Sequence, residues 1–385
     1  MTTIHAGIPA SNNTLYRAIR FLAGDPAALI VRDDGSRMLL IRDIEMDRAK
    51  AGARADVVHC PADFMPDGGL SGDRETATAQ ALAEALRRDG VTSVRADRTL
   101  SLSFVHELQE AGIAIDYDAD LGVLDRRSKD AEEVAALREA QAETQRAIEM
   151  ACRTIAQCTA DAEGVLQLQD EAVTSERVRA LIDMHLLNAG YDNPTSIVAA
   201  GQDAADCHNH GSGVLHTGVP IIIDVFPRCK TTRYNGDCTR SVVHGEIPEL
   251  VHRMHAAVLE AKAAAEAATK PGVTGEAVHA ETSRVITEHG FPMGLSGPDS
   301  PADRIAMVHG TGHGIGLDVH EPPLLDVSGP ALVKGDVVTI EPGLYGIPVG
   351  GLRIEDMVLV TESGCEDLGT GLHMGLDWGA QRAAR

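Results

Sequence analysis

Aromatic side chains make up only 3% of this 385-residue sequence, with one tryptophan, five tyrosines and five phenylalanines. Any apolar ligand pocket must therefore rest on aliphatic groups and a few placed rings. Positive charge is also short: 34 Lys and Arg face 57 Asp and Glu, for a formal charge of −23. Such a surface repels polyphosphate and anionic headgroups, which argues against nucleic acid and membrane surfaces as partners. The seven cysteines (Cys60, Cys152, Cys158, Cys207, Cys229, Cys238 and Cys365) are odd in number and scattered, with no C-x-x-C pair to begin a zinc or redox site. They are expected to be free thiols. No apolar run approaches the roughly 20 residues that cross a bilayer, and the opening MTTIHAGIPA lacks a basic and an apolar targeting region. The expected location is the cytoplasm.

What is present is enough for a large core. With 44% apolar residues, the length predicts two or possibly three structural units. Short β-rich runs at Ala28 to Arg32 and Met38 to Arg42 flank the turn signal Asp33-Asp34-Gly35-Ser36, and Glu75 to Arg88 has helical character up to Gly90. A strand near Val94, a helix from Phe104 to Ala111 and a strand from Ile113 to Tyr117 complete a compact α/β unit. Ser128 is placed to cap a bridging helix with Asp130, Glu132 and Glu133 in its first turn.

Beyond it, strands interleave with amphipathic helices. Val178, Leu181, Ile182 and Leu186 mark one helix, opened by Thr174 or Ser175 and closed by Gly190. Leu250, Met254 and Val258 mark a second, ended by Pro271-Gly272, and Val278, Thr282, Val285 and Ile286 a third, ended by Gly290. Strands are expected at Ile197 to Ala200, Ile221 to Phe226, Thr239 to His244, Val337 to Ile340 and Leu352 to Val360.

Three segments carry chemistry. In IIIDVFPRCKTTRYNGDCTRSVV, Ile222, Asp224 and Phe226 share one strand face, so an acid sits in an apolar row, and an antiparallel return would set Asp237 face to face with it. A buried carboxylate is costly unless it is paired or holds a metal. HGTGHGIGLDVHEPP places His309, His313 and His320 among glycines too dense for a helix, which predicts close backbone approach. In DVVTIEPGLYGIPVGGLRIEDMVLV, Glu341 ends a strand before Pro342, while Arg353 and Glu355 project to one face, so Arg353 can orient a carboxylate there and Asp356 cannot. Four ionised acids and a histidine in one cleft require compensating cations, which two divalent ions would supply. Oxygen-dominated ligands with one imidazole suit manganese first, with cobalt or zinc as alternatives.

These blocks resemble the pita-bread metallopeptidases: methionine aminopeptidases, Xaa-Pro aminopeptidases and prolidases, with creatinase as a metal-free relative. The resemblance runs over roughly residues 128 to 365. It implies an α/β (α+β) fold with a creatinase-like α/β domain at 1–127 and a pita-bread domain at 128–385, with a curved antiparallel sheet and flanking helices. Residue by residue, it implies Asp224, Asp237, His313, Glu341 and Glu355 as metal ligands, His320 and His309 as active-site histidines, and Glu341 as a proton shuttle. GQDAADCHNHGSG resembles the segment of the remaining catalytic histidine, which falls on His208, with His210 as competitor. The interval from Asp224 to Asp237 is two residues longer than usual, implying an extended hairpin. Arg353 and Tyr345 are expected around the substrate, Tyr345 and Tyr234 being candidates for the pocket that receives proline.

The activity so implied is dinuclear-metal-dependent hydrolysis of the bond preceding proline in a dipeptide or longer peptide, by a homodimer. A hydrolase or lyase of a small non-peptide substrate, or a catalytically silent binding protein, are the alternatives on the same fold. His252, His255, His279 and His289 fall on predicted helices, where a surface or packing role is expected.

Overall fold

The computed structural model describes residues 1–379. Contacts divide the chain into two compact units, Met1–Arg126 and Arg127–Arg385. In the first, a six-stranded sheet runs in the spatial order Val57–His59, Arg37–Leu40, Ala27–Val31, Thr3–Gly7, Ser93–Ala96, Ala114–Tyr117. The Thr3–Gly7 strand pairs antiparallel with Ala27–Val31 on one side and parallel with Ser93–Ala96 on the other. Its two faces are covered by separate clusters. Leu82, Leu86 and Phe104 pack on one, and Leu15 and Ile19 on the other, which explains why both faces of Ala27–Val31 are apolar.

The second unit opens with the helix Ala131–Ala156. Its N-cap is Asp130 rather than the expected Ser128: the Asp130 carboxylate accepts from Glu133 N–H, and the Glu133 carboxylate accepts from Asp130 N–H, a reciprocal capping box. The helix packs with Ser175–Asn188 on a three-stranded antiparallel sheet of Ser196–Ala200, Pro220–Val225 and Cys238–Val243. Strand alternation sorts the central strand. Ile221, Ile223 and Val225 enter the core beneath the helices, while Ile222 turns to a small cluster with Ile197, Ala199 and Tyr345.

A second antiparallel sheet has the order Glu321–Leu325, Gly312–Gly314, Val337–Ile340, Asp356–Val360, Cys365–Asp367. The helices Glu249–Ala268 and Gly275–Glu288 pack beside it, the former stopping before Pro271. The strand expected to run unbroken from Leu352 to Val360 is two strands. Gly350–Arg353 belongs to a hairpin with Gly343–Gly346, and Asp356–Val360 to the five-stranded sheet. Ile354 and Glu355 lie in the break, where Glu355 N–H donates to the Thr239 carbonyl of the three-stranded sheet at 3.0 Å. That bond stitches the two sheets together.

Buried ion pairs hold the periphery of this core. Lys129 Nζ lies 2.6 Å from Glu321 Oε1 with both side chains almost fully buried, and Arg127 grips Asp336 through two bonds of 2.9 and 2.7 Å. Removing one partner of such a pair leaves a charge without compensation. Lys129→Ala should cost about 3–5 kcal/mol of stability in urea unfolding, against less than about 1 kcal/mol for an exposed cation such as Lys334.

Candidate metal centre

The site lies on the face of the three-stranded sheet away from the helices, over the seam with the five-stranded sheet. Asp224 sits on the central strand, paired with Ile197 on one side and Thr239 on the other. Asp237 precedes the next strand by one residue, so the two aspartates are diagonal neighbours and not directly opposed as expected. A diagonal offset separates such side chains by about 7–8 Å at the backbone, which leaves room for cations between them. Glu341 follows Val337–Ile340, Glu355 comes from the strand break, and His313 from the short strand Gly312–Gly314. The dense glycines near His313 have a steric cause. A Cβ on Gly312 would lie 2.0 Å from the Thr339 carbonyl oxygen, so the His313 backbone reaches the site only because that position is bare.

Nε2 of His313 lies 3.7 Å from Asp237 Oδ2 and 3.5 Å from Glu341 Oε1. Nδ1–H of the same ring donates to the Gly314 carbonyl at 3.1 Å, which turns the Nε2 lone pair toward the acids. Ligand atoms of Asp237, His313 and Glu355 all fall within 4.8 Å of one another. Two atoms each about 2.1 Å from a shared ion stand no more than about 4.2 Å apart, so this spacing needs only small adjustment. Asp224 Oδ1 is buried without a hydrogen-bond partner. A buried carboxylate oxygen left unpartnered on a cavity that three other acids also line fits a divalent cation.

Electrostatics agree with that fit. Burial, then Glu355 and Asp224, pushes the Asp237 carboxyl well above its ordinary range, and burial, then Glu341 and Asp224, does the same to Glu355. Burial also raises Glu341, against the opposing pull of His309 and Arg353.

A set of buried and half-buried groups sets the orientation of these acids. Arg353 Nη2 donates to Asp224 Oδ2 at 2.6 Å, so the carboxylate it holds is Asp224. Its Nε donates to Thr239 Oγ1 at 3.1 Å, and Thr239 donates to Glu355 Oε2 at 2.7 Å. Thr239 thus joins Glu355 to Arg353, and through that guanidinium to Asp224, with one hydroxyl. Sequence reasoning did not single it out, although its two-residue spacing from Asp237 put it on the site face. Arg353 Nη1 donates to Tyr345 Oη at 2.9 Å, Tyr345 Oη–H to His309 Nε2 at 2.8 Å, and His309 Nδ1–H to the Gly310 carbonyl at 2.7 Å. Burial keeps Tyr345 protonated and His309 neutral, as this relay requires. Asp356, by contrast, turns away to Arg240 at 2.8 Å and Lys262 at 2.9 Å.

The acids floor a cavity of about 420 Å³, walled also by His208, His210, His309, His313, His320, Ile197, Phe226, Val319, Leu324 and Asp326. Both His208 and His210 reach it, the latter with Nδ1 tied to Thr195 Oγ1 at 3.3 Å. The His320 ring stands edge-on to His313, 4.2 Å between centroids. Neither tyrosine expected in the pocket lines it. Tyr345 is buried behind His309, and Tyr234 Oη donates to Glu133 at 2.6 Å. The apolar wall is Ile197, Phe226, Val319 and Leu324 instead. Helical His279 packs with its Nε2 3.7 Å from Oδ1 of Asp326, a residue of the cavity wall.

Thr239→Val should lower divalent-ion affinity by about 10–100-fold in calorimetric titration with manganese, because both Glu355 and Arg353 lose a partner. Acids with raised pKa bind more protons folded than unfolded. Ion-free protein should therefore gain stability as pH falls from neutral toward about 4, and lose it as pH rises through the raised values. Melting curves with and without manganese check this, the ion abolishing the trend.

Comparison with known proteins adds the lineage. Over 202 residues the chain is 33% identical to the Xaa-Pro dipeptidase of Pyrococcus furiosus, covering 51% of this chain and 54% of that enzyme, so the match spans about half the length of that relative. The Xaa-Pro dipeptidase of Pyrococcus horikoshii is 29% identical over 286 residues, 73% of this chain and 74% of that one. The solved prolidase of Pyrococcus furiosus superposes with a TM-score of 0.71 at 25% identity, covering 95% of each chain. The X-Pro aminopeptidase of Thermotoga maritima, at 23% identity and a TM-score of 0.77 over 97% of this chain and 96% of that one, shares the fold. The description Metallopeptidase family M24 matches residues 135–362, more than half of the sequence, and the chain belongs to that family.

Proposed function

We propose that this chain hydrolyses the peptide bond preceding proline, as an Xaa-Pro dipeptidase or Xaa-Pro aminopeptidase, with two divalent metal ions held by Asp224, Asp237, His313, Glu341 and Glu355. The observation that carries the proposal is the gathering of Asp237, Glu341 and Glu355 around His313, with Asp224 on the same cavity and its Oδ1 left unpartnered. The names of the relatives, Xaa-Pro dipeptidase and prolidase, support the choice of bond.

Bound ions would supply activated water and stabilise negative charge developing on a substrate carbonyl. The protein's own groups do the rest. Glu341, its carboxyl raised by burial and bordering the cavity, is suited to take a proton from water and pass it to the departing amine. His320 is kept neutral by burial and by His313 beside it, so its ring N–H can donate to the carbonyl oxygen. His208, exposed and also lining the cavity, is the second candidate donor. His309 has both ring nitrogens committed and acts as a positioning residue together with Tyr345 and Arg353. Manganese is the proposed ion, given four carboxylates to one imidazole, ahead of cobalt and zinc.

All seven cysteines are unpaired, which supports a reducing, cytoplasmic compartment, and the family resemblance supports a homodimer. Every proposed site residue lies between positions 208 and 355, so the first unit carries none of them. No helix among the described residues is long and apolar enough to cross a membrane.

Metal content and Xaa-Pro dipeptide hydrolysis, measured on one sample before and after chelation and manganese readdition, test the proposal. Turnover should vanish with the chelator and return with about two ions per chain. Glu341→Ala should lose both ion affinity and turnover by at least about a hundredfold. Full turnover in that variant would refute its role.

A further inference from the structure

The cavity wall carries one carboxylate outside the proposed ligand set. Asp326 follows the strand Glu321–Leu325 and is held in a tight turn, its carbonyl accepting from Gly329 N–H at 2.8 Å and its Oδ1 from Val327 N–H at 2.7 Å. His279 stands behind it at 3.7 Å, itself fixed by Thr311 Oγ1 at 3.0 Å. Gly310 completes the seat: a Cβ there would lie 3.0 Å from Asp326 Oδ2, so the carboxylate occupies the space that a side chain would fill. Its side chain nonetheless remains 44% exposed and borders the cavity.

The basic group within ion-pair distance of it, His279, stands behind it and not on the cavity wall. Among the described residues lining the cavity, Arg353 is the one Lys or Arg. Its guanidinium is spent on Thr239, Tyr345, the Cys207 carbonyl and Asp224, and the residue is 3% exposed. A substrate carboxylate brought to this part of the wall would meet an acid in place of a guanidinium or ammonium partner, and specificity can be set by such a repulsive contact as well as by attractive ones.

We propose that Asp326 is a specificity-determining residue, which selects against a free α-carboxylate on the proline and so directs the site to Xaa-Pro peptides continued by at least one further residue. This inference rests on the peptidase reading above. It narrows that reading from dipeptides to the amino termini of longer chains, whose proline carbonyl continues as a neutral amide. The volume of about 420 Å³ is within the range of about 300–1,000 Å³ usual for small-molecule sites.

The test compares Ala-Pro, Ala-Pro-amide and Ala-Pro-Ala on the manganese-loaded full chain. The amide and the tripeptide should exceed Ala-Pro in kcat/KM by about tenfold or more, the difference lying mostly in KM and shrinking at high salt. Asp326→Asn, which keeps the shape of the turn, should narrow the gap several-fold, and Asp326→Lys should narrow it further. Calorimetry of a reduced-bond Ala-Pro analogue, as acid and as amide, reads the same preference without turnover. Equal use of Ala-Pro and its amide by the unaltered protein, or a preference that Asp326→Asn leaves intact, would overturn the inference. If none of the three compounds is hydrolysed, the peptidase reading fails, and the calorimetric ratio alone decides the role of Asp326.

Discussion

Mutual repulsion among four carboxylates withdrawn from water is the constraint around which the second unit is built. Asp224, Asp237, Glu341 and Glu355 reach one cavity from neighbouring strands and one strand break, and burial together with the neighbouring acids raises the cost of ionising Asp237 and Glu355. The guanidinium of Arg353 offsets part of that cost, but it contacts only Asp224 directly. The remainder would fall to the proposed cations, so the same geometry that would destabilise a bare protein is what would give the cluster its affinity for divalent ions.

The surrounding polar groups preserve this tension by fixing where each acid points. Thr239 joins Glu355 to Arg353, while Arg353, Tyr345 and His309 form a chain of donors in which every proton has one place to go. A layer with every donor and acceptor matched is rigid, and rigidity in the supporting groups is what holds ligands near their working geometry. On the far side of the seam, Asp356 is neutralised by Arg240 and Lys262, so adjacent residues Glu355 and Asp356 serve opposite faces without competing.

Much of this was legible in the sequence, for reasons that can be stated residue by residue. Acids embedded in apolar strand runs, such as Asp224 after Ile221 to Ile223, advertise a burial that needs a purpose, and glycine crowding around His313 advertises close backbone contact. The helix Gly275–Glu288 shows all four of its expected buried positions. Local features that depend on a single hydrogen bond were not legible: Asp130 rather than Ser128 caps its helix because only Asp130 completes a reciprocal pair with Glu133. Features that depend on distant chain segments were hidden too. Nothing local reveals that the run Leu352 to Val360 changes sheets midway, that Tyr345 is walled off behind His309, or that helical His279 meets Asp326.

The crossing at Ile354 and Glu355 ties the alignment of two sheets to the chemistry above them. Glu355 is joined through its amide to one sheet and continues directly into a strand of the other, while its carboxylate belongs to the acid cluster. A slip of one residue between the sheets would turn that carboxylate to the opposite side. An ion held by Glu355 and Asp237 together, as proposed, would act as a gauge of inter-sheet alignment, accepting one register and rejecting its neighbours.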